Sequence, residues 1–217
     1  MDYKQARFNM IEQQVRTWKV LDKKVLNMLS LTHRENYVPT SYKKLAYSDI
    51  NIPLAHGQIT MQPKMEARLI QELNINKQDK ILEIGSGCGY LTAILSRFGK
   101  EVITLDIFNR FTLEVEDKLA KDGIKNAHLI TADGVNGWPA LAPYDVIVLT
   151  GSLARESETI EKQLKIGGRL FSIIGKHPIM EAFLVTKVAN NQWHRESLFE
   201  TYVPPLIGEQ VINNFQF

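Results

Sequence analysis

Apolar side chains recur at helical spacing at the start of the chain: Phe8, Ile11, Val15 and Trp18 form one set, and Leu21, Val25, Met28 and Leu29 a second. A period near 3.6 residues puts each set on one face of a short helix, and Asp22 between them is placed to cap the second. From Asn36 to Pro63 that rhythm fails. Pro39, Pro53, Gly57 and Pro63 punctuate a segment too long and too apolar for a linker, which therefore reads as turns and extended pieces. Pro63 suits the first position of a helix, and Met65, Leu69, Ile70 and Leu73 then predict a third helix ending near Asn74.

After Asp79 strand-like and helix-like runs alternate: KILEI, LTAILSRF, EVITLDI, the segment from Asn109 to Lys121, HLITA, YDVIVL, the segment from Ser157 to Lys165, then RLFSII. Parallel strands joined by crossover helices are the expected result. Leu91, Ile94, Leu95 and Phe98 share one helix face, which packs on the sheet. The stretch EAFLVTKVANNQWHRESLFETYVPPL predicts two further strands joined by a turn at Asn190 and Asn191, forming an antiparallel edge. The fold class is α/β, a doubly wound and mostly parallel sheet behind an N-terminal helical extension.

Composition narrows the function classes. With 217 residues, 44% of them hydrophobic, the chain buries a core of its own. Twenty-six basic against 24 acidic residues give a net charge of +2, without the clustered basic excess of a nucleic-acid binder, so no nucleic-acid partner is expected. The single cysteine, Cys88, precludes an intrachain disulfide and a Cys-rich metal site, and His33, His128, His177 and His194 lack metal-ligand spacing. No metal is expected. The segment MDYKQARFNM lacks the apolar core of a signal peptide, and no run approaches the roughly 18 apolar residues of a membrane span. These features predict a soluble cytoplasmic protein.

The stretch ILEIGSGCGYLTAIL feeds a strand through a glycine loop into a helix, which aims backbone N–H groups and the positive helix end at a ligand. A dinucleotide fingerprint needs a glycine at its sixth position, where Tyr90 stands, and no Gly-Lys-Ser/Thr follows to make a phosphate-binding P-loop. Glu83 instead precedes the first glycine, and an anion there suits a ligand carrying an ammonium and a sulfonium. S-adenosylmethionine is such a ligand. Asp106 ends the next strand, where an acid accepts from ribose hydroxyls, and Asp133 in TADG ends the third, near an adenine edge. Each acid alone also reads as a cap or turn residue, but three in order at successive strand ends point to one cofactor. Cys88 has no evident partner base and reads as a small loop residue rather than a nucleophile.

The order RENYVP, LAYSDINIPLAHGQITMQP, ILEIGSGCGYLTAIL, ITADG, KQLKIGGRL resembles the protein-L-isoaspartate O-methyltransferases over nearly the whole chain. The resemblance implies a seven-stranded Rossmann-like methyltransferase core over 77–217, with 1–76 supplying helices and the acceptor-side segment of one compact unit. It implies transfer of methyl from S-adenosylmethionine to the carboxylate of L-isoaspartyl or D-aspartyl residues in damaged proteins, the first step of repair. Carried onto this chain, it implies that Glu83, Gly85, Ser86, Gly87 and Gly89 meet the methionine part of the cofactor, Asp106 and Ile107 the ribose, and Asp133 with Gly134 the adenine. Gln58, Thr60 and Met61 then form the lip where donor and acceptor meet.

Two departures from the family pattern bear on the acceptor. The family string Gly-Gln-Thr-Ile-Ser-Gln-Pro places a serine hydroxyl at the transfer site, whereas here Met61 stands in that place and cannot donate a hydrogen bond to a carboxylate. Thr60 is adjacent, but in an extended segment it faces the opposite side unless the register shifts. After strand four, VLTGSLARESE offers Thr150, Gly151, Ser152 and Arg155 in place of small residues and a proline; Arg155 either pairs an acceptor carboxylate or is solvated. His56 either serves a hydroxyl or amine acceptor as a base or packs beside Tyr47. Met61 thus keeps open a methyltransferase with another acceptor, and a non-catalytic cofactor-binding scaffold is the rival from outside the enzymes.

Overall fold

The computed structural model describes residues 2–208; the end of the expected core, 209–217, lies outside the described residues. Helix α1 (Tyr3–Met10) runs into a π turn (Ile11–Val15) and a 3₁₀ turn (Arg16–Trp18) that ends on Lys19 in a left-handed conformation. The wider π turn rotates the apolar stripe, so Met10, Ile11 and Val15 are buried while Phe8, expected on the buried face, is 58% exposed. Helix α2 (Lys23–Leu31) is capped as expected by Asp22, whose carboxylate accepts from the backbone of Lys24 and Val25. Leu21, assigned to the same face, precedes the helix and is 64% exposed. Helix α3 (Pro63–Leu73) begins on Pro63 and stops at Asn74, which adopts the left-handed conformation that ends helices.

The sheet contains β1 (Lys80–Ile84), β2 (Glu101–Asp106), β3 (Ala127–Thr131), β4 (Tyr144–Leu153), β5 (Leu164–Lys176), β6 (Ile179–Ala189) and β7 (Gln192–Thr201), in the order β3-β2-β1-β4-β5-β6-β7. Pairing is parallel through β5 and antiparallel for β6 and β7. The hairpin between the last two strands turns at Asn191, with φ of 57°. Crossover helices are α4 (Tyr90–Phe98), α5 (Asn109–Lys121) and the short α6 (Glu158–Glu161). Sequence periodicity extends this last helix from Ser157 to Lys165; instead Leu164 pairs with Tyr144, and the sheet takes the backbone that a longer helix would need.

Strand order reverses between β1 and β4, the topological switch point at which open α/β sheets leave a crevice beyond their carboxyl ends. Two further features deliver residues to it. The register of β4 against β5 shifts between Val148 and Ser152, around Thr150 and Gly151. The segment after β7 returns beside Ser152, which donates its N–H to Pro204 O and accepts at its own carbonyl from the N–H of Leu206.

Candidate active site

Gly85, directly after β1, has φ of 97°, and a Cβ there would lie 2.1 Å from Thr150 Oγ1. That hydroxyl donates to the carbonyls of Ile84 and Gly85, so β4 grips the start of the loop. At the other end a Cβ on Gly89 would lie 2.7 Å from Val115 Cγ1, so its absence lets α4 start tightly against α5. Close helix packing, which the dinucleotide fingerprint assigns to its sixth position, is supplied here by Gly89. Asp106 holds the middle of the loop: Oδ2 accepts from Gly87 N at 3.0 Å and Ser86 Oγ at 3.1 Å, and Oδ1 accepts from Phe108 N at 3.0 Å.

Beyond the carboxyl ends of β1, β2 and β4 lies a narrow cavity of about 100 Å³. Its wall contains Gly85, Gly87, Asp106, Ile107, Asp133 and Gly134 from the core, Gln58 and Ile59 from the N-terminal region, and Pro205 and Leu206 from the returning tail. Asp133 Oδ1 accepts from Val135 N, which fixes the turn after β3. Past Gly85 and Gly87 the cavity adjoins a second, smaller chamber whose wall includes Thr60, Met61, Glu66, Ser86, Cys88 and Tyr90. An outer groove touching Leu54, Gly87 and Cys88 carries Lys43, Arg110, Lys118 and Lys121 against Glu114 and Asp122.

Ten of the residues predicted from sequence therefore lie in these walls: Gln58, Thr60, Met61, Gly85, Ser86, Gly87, Asp106, Ile107, Asp133 and Gly134. Glu83 and Gly89 do not. Glu83 is 0% exposed beneath the loop, with Oε2 accepting from Thr92 Oγ1 at 2.6 Å and Oε1 without a partner among the described residues. Burial pushes its carboxyl up to about 8, against the hydrogen bond from Thr92. Burial likewise raises the Cys88 thiol, which keeps it protonated and unlike an activated nucleophile.

Met61 is 6% exposed and packs in the core, while the Thr60 hydroxyl accepts from Ile52 N at 3.0 Å and Arg34 Nη2 at 3.2 Å. Arg34 also bonds Glu66 through Nη1 and the carbonyl of Met61 through Nη2 at 2.8 Å, and its guanidinium lies 4.7 Å from the Tyr90 ring centre. Burial raises the Glu66 carboxyl to about 7 even with Arg34 pulling it down. Sequence reasoning passed over Arg34, Glu66 and Tyr90 as site residues. The available signal was Glu66 itself, a charge at helical spacing with Leu69, Ile70 and Leu73 on an apolar face.

His56 does not pack beside Tyr47. The Tyr47 hydroxyl donates to Glu35 and accepts from Arg7, and His56, in a left-handed conformation, stacks on Phe108 at 4.1 Å and 5°. Arg155 is exposed and outside both chambers, whereas Thr150 and Gly151 join the cavity wall. Ser152 is buried and donates to Val203 O.

The donor set tests the expected cofactor. Among the described residues lining the two chambers there is no lysine, arginine or histidine, whereas Asp106 and Asp133 line the first and Glu66 the second. Such walls repel phosphates and fit a cationic adenosyl compound, with carboxylates to accept from hydroxyl and amino groups. No helix among the described residues is long and apolar enough to cross a membrane, and they contain no group of three or more His, Cys, Asp or Glu able to hold a metal ion.

Comparison with known proteins agrees with this chemistry. Residues 5–210 match the family model for protein-L-isoaspartate(D-aspartate) O-methyltransferase. The protein-L-isoaspartate O-methyltransferase 1 of Rhodopseudomonas palustris (strain HaA2) is 33% identical over 205 residues, 94% of this chain and 84% of the relative. The Dictyoglomus thermophilum protein-L-isoaspartate O-methyltransferase is 34% identical over 190 residues, 88% of this chain and 86% of the relative. A solved Plasmodium falciparum structure, described as a protein-L-isoaspartate O-methyltransferase in complex with S-adenosyl-L-homocysteine, matches with a TM-score of 0.80 at 20% identity, covering 95% of this chain and 98% of its own; at that identity the likeness is one of fold. The walls suited to a cationic adenosyl ligand, the switch-point cavity and the match across almost the whole chain converge: the chain belongs to the protein-L-isoaspartate(D-aspartate) O-methyltransferase family.

Proposed function

We propose that this protein methylates the carboxylate of L-isoaspartyl or D-aspartyl residues in damaged polypeptides, with S-adenosylmethionine as methyl donor, giving an ester for repair. The observation that carries the proposal is the continuity of a cavity lined by Asp106 and Asp133 and, among the described residues, by no cationic side chain with a chamber beside the Thr60–Met61 segment and an outer groove bearing four basic residues. When bound, S-adenosylmethionine supplies an electrophilic sulfonium methyl, toward which an ionised carboxylate is already a nucleophile. The chain therefore needs to align and enclose rather than to move a proton.

In this reading Asp106 accepts from the ribose hydroxyls while keeping Ser86 and Gly87 in place, Asp133 and Gly134 meet the adenine, and Ile107 packs beside the ribose. Gln58, Thr60 and Met61 border the transfer site. Lys43 and Lys121, which make no ion pair among the described residues, draw the acceptor carboxylate into the outer groove.

The test is incubation of purified protein with labelled donor and an isoaspartyl peptide, which is expected to yield a base-labile methyl ester. Cofactor binding without ester would remove the isoaspartyl assignment. A second reading, the same donor with a different acceptor, is favoured by Met61, since no hydroxyl stands at that position and the Thr60 oxygen already accepts two hydrogen bonds. An Asp106→Ala variant separates both readings from a scaffold role: loss of cellular function together with cofactor binding is expected of an enzyme.

A further inference from the structure

This inference rests on the cofactor reading above and concerns the end of the cofactor opposite its adenine. That end is an α-amino acid group, and it needs an anion for its ammonium and a donor for its carboxylate. With Asp106 and Asp133 committed to the adenosyl half in the first chamber, those partners must stand beyond Gly85 and Gly87. Glu83, the acid nearest the loop in sequence, is sealed under it and reaches neither chamber.

Glu66 does reach the second chamber. It projects from α3 with its side chain 4% exposed, and Arg34 bonds only its Oε2. Among the described residues nothing donates to Oε1. Unlike Oε1 of Glu83, this oxygen is not sealed away without a partner, so it stays open to a ligand, and a cation entering the chamber adds to Arg34 in favouring the ionised acid. In the same wall the fully buried Tyr90 carries a hydroxyl with no partner among the described residues. Burial holds that phenol protonated, so it is a donor. The chamber thus offers one carboxyl acceptor, which a cation beside it would hold ionised, and one neutral donor, the complement of an ammonium and a carboxylate.

We infer that Glu66, rather than Glu83, is the residue that binds the α-ammonium of the cofactor, with the Tyr90 hydroxyl serving its carboxylate. Arg34 is a positioning residue in this arrangement: it fixes the Glu66 carboxyl and ties it to the Thr60–Met61 segment that borders the acceptor. The methionine end of the donor and the acceptor lip are thereby held by one guanidinium.

Calorimetric binding of S-adenosylhomocysteine and of its analogue lacking the α-amino group tests the assignment without turnover. The wild-type protein is expected to prefer the amine-bearing ligand by about ten- to a hundredfold, the worth of a hydrogen bond to a charged group. Glu66→Gln should bring that ratio to within about threefold, and Glu83→Gln should leave it intact. Glu66→Asp withdraws the carboxyl from the chamber yet keeps a charge for Arg34, and it is expected to lower the ratio even if the glutamine variant does not fold. A ratio near one in the wild type, or an unchanged ratio in either Glu66 variant, overturns the inference while leaving cofactor binding established. Failure of the wild type to bind either ligand refutes the cofactor reading itself, and the assignment with it.

Discussion

Glutamine at position 83 removes a proton-binding group from the centre of the fold while preserving its shape. In the native state the Glu83 carboxyl is wholly buried on β1, bonded by Thr92 and opposite Thr104 in the strand register, with one oxygen unpartnered among the described residues. Burial raises it from 4.5 to about 8, and the nearby Asp106 adds to the rise. The sign follows from proton counting: between these values the unfolded chain has released a proton that the native state retains. Stability from this group is full below 4.5 and declines as pH rises toward about 8. At about 1.4 kcal/mol per unit, tapering near each end, the loss between about pH 5 and about pH 7 is about 2 to 3 kcal/mol. Glu83→Gln retains an acceptor for Thr92 and has nothing to ionise. Urea unfolding of both proteins at the two pH values measures the double difference, in which the titration of every other group largely cancels. The wild type is expected to lose about 2 to 3 kcal/mol more than the variant over this window. A difference between the two proteins that does not change with pH refutes the claim that Glu83 is held neutral.

Arg34→Met leaves Glu66 buried without its cation and should cost about 3 to 5 kcal/mol in denaturant unfolding, with partial recovery when Glu66→Gln is added; equal effects with and without the second change would refute the pairing. Gly85→Ala drives a Cβ to 2.1 Å from Thr150 Oγ1 at a left-handed φ, so S-adenosylhomocysteine binding measured by calorimetry should be lost, and wild-type affinity would contradict the packed loop. Met61→Ser places a hydroxyl in the second chamber wall and is expected to raise kcat/KM for an isoaspartyl peptide about tenfold, the worth of a hydrogen bond to a charged group. No gain, measured as ester formed, would argue that Met61 is fitted to a different acceptor.

Sequence alone was sufficient for features governed by local rules. Apolar period and turn chemistry placed β1 to β4, α3 with its Pro63 start and Asn74 end, the Asp22 cap, and the antiparallel hairpin at Asn191. Acids at successive strand ends located Asp106 and Asp133 in the cavity, because a strand end followed by a helix puts its last residues at the sheet's carboxyl edge whatever the rest of the chain does. Local rules failed where a choice depended on distant chain. The π turn redirected Phe8 outward, β5 claimed Leu164 from a predicted helix, and Phe108 took His56 away from Tyr47.

The deepest division concerns the two acids Glu83 and Glu66. Sequence determined that an acid precedes the glycine loop, and that a charge sits on the apolar face of α3. Only the tertiary structure decided which one meets the cavity. Exposure of a carboxyl is a property of what packs around it: Thr92 and the loop close over Glu83, while Arg34, 32 positions away in the chain, holds Glu66 at the wall of the second chamber. A one-dimensional pattern encodes which residue types alternate. It does not encode which buried surfaces leave a gap, and the gap is what turns a buried acid into a binding group.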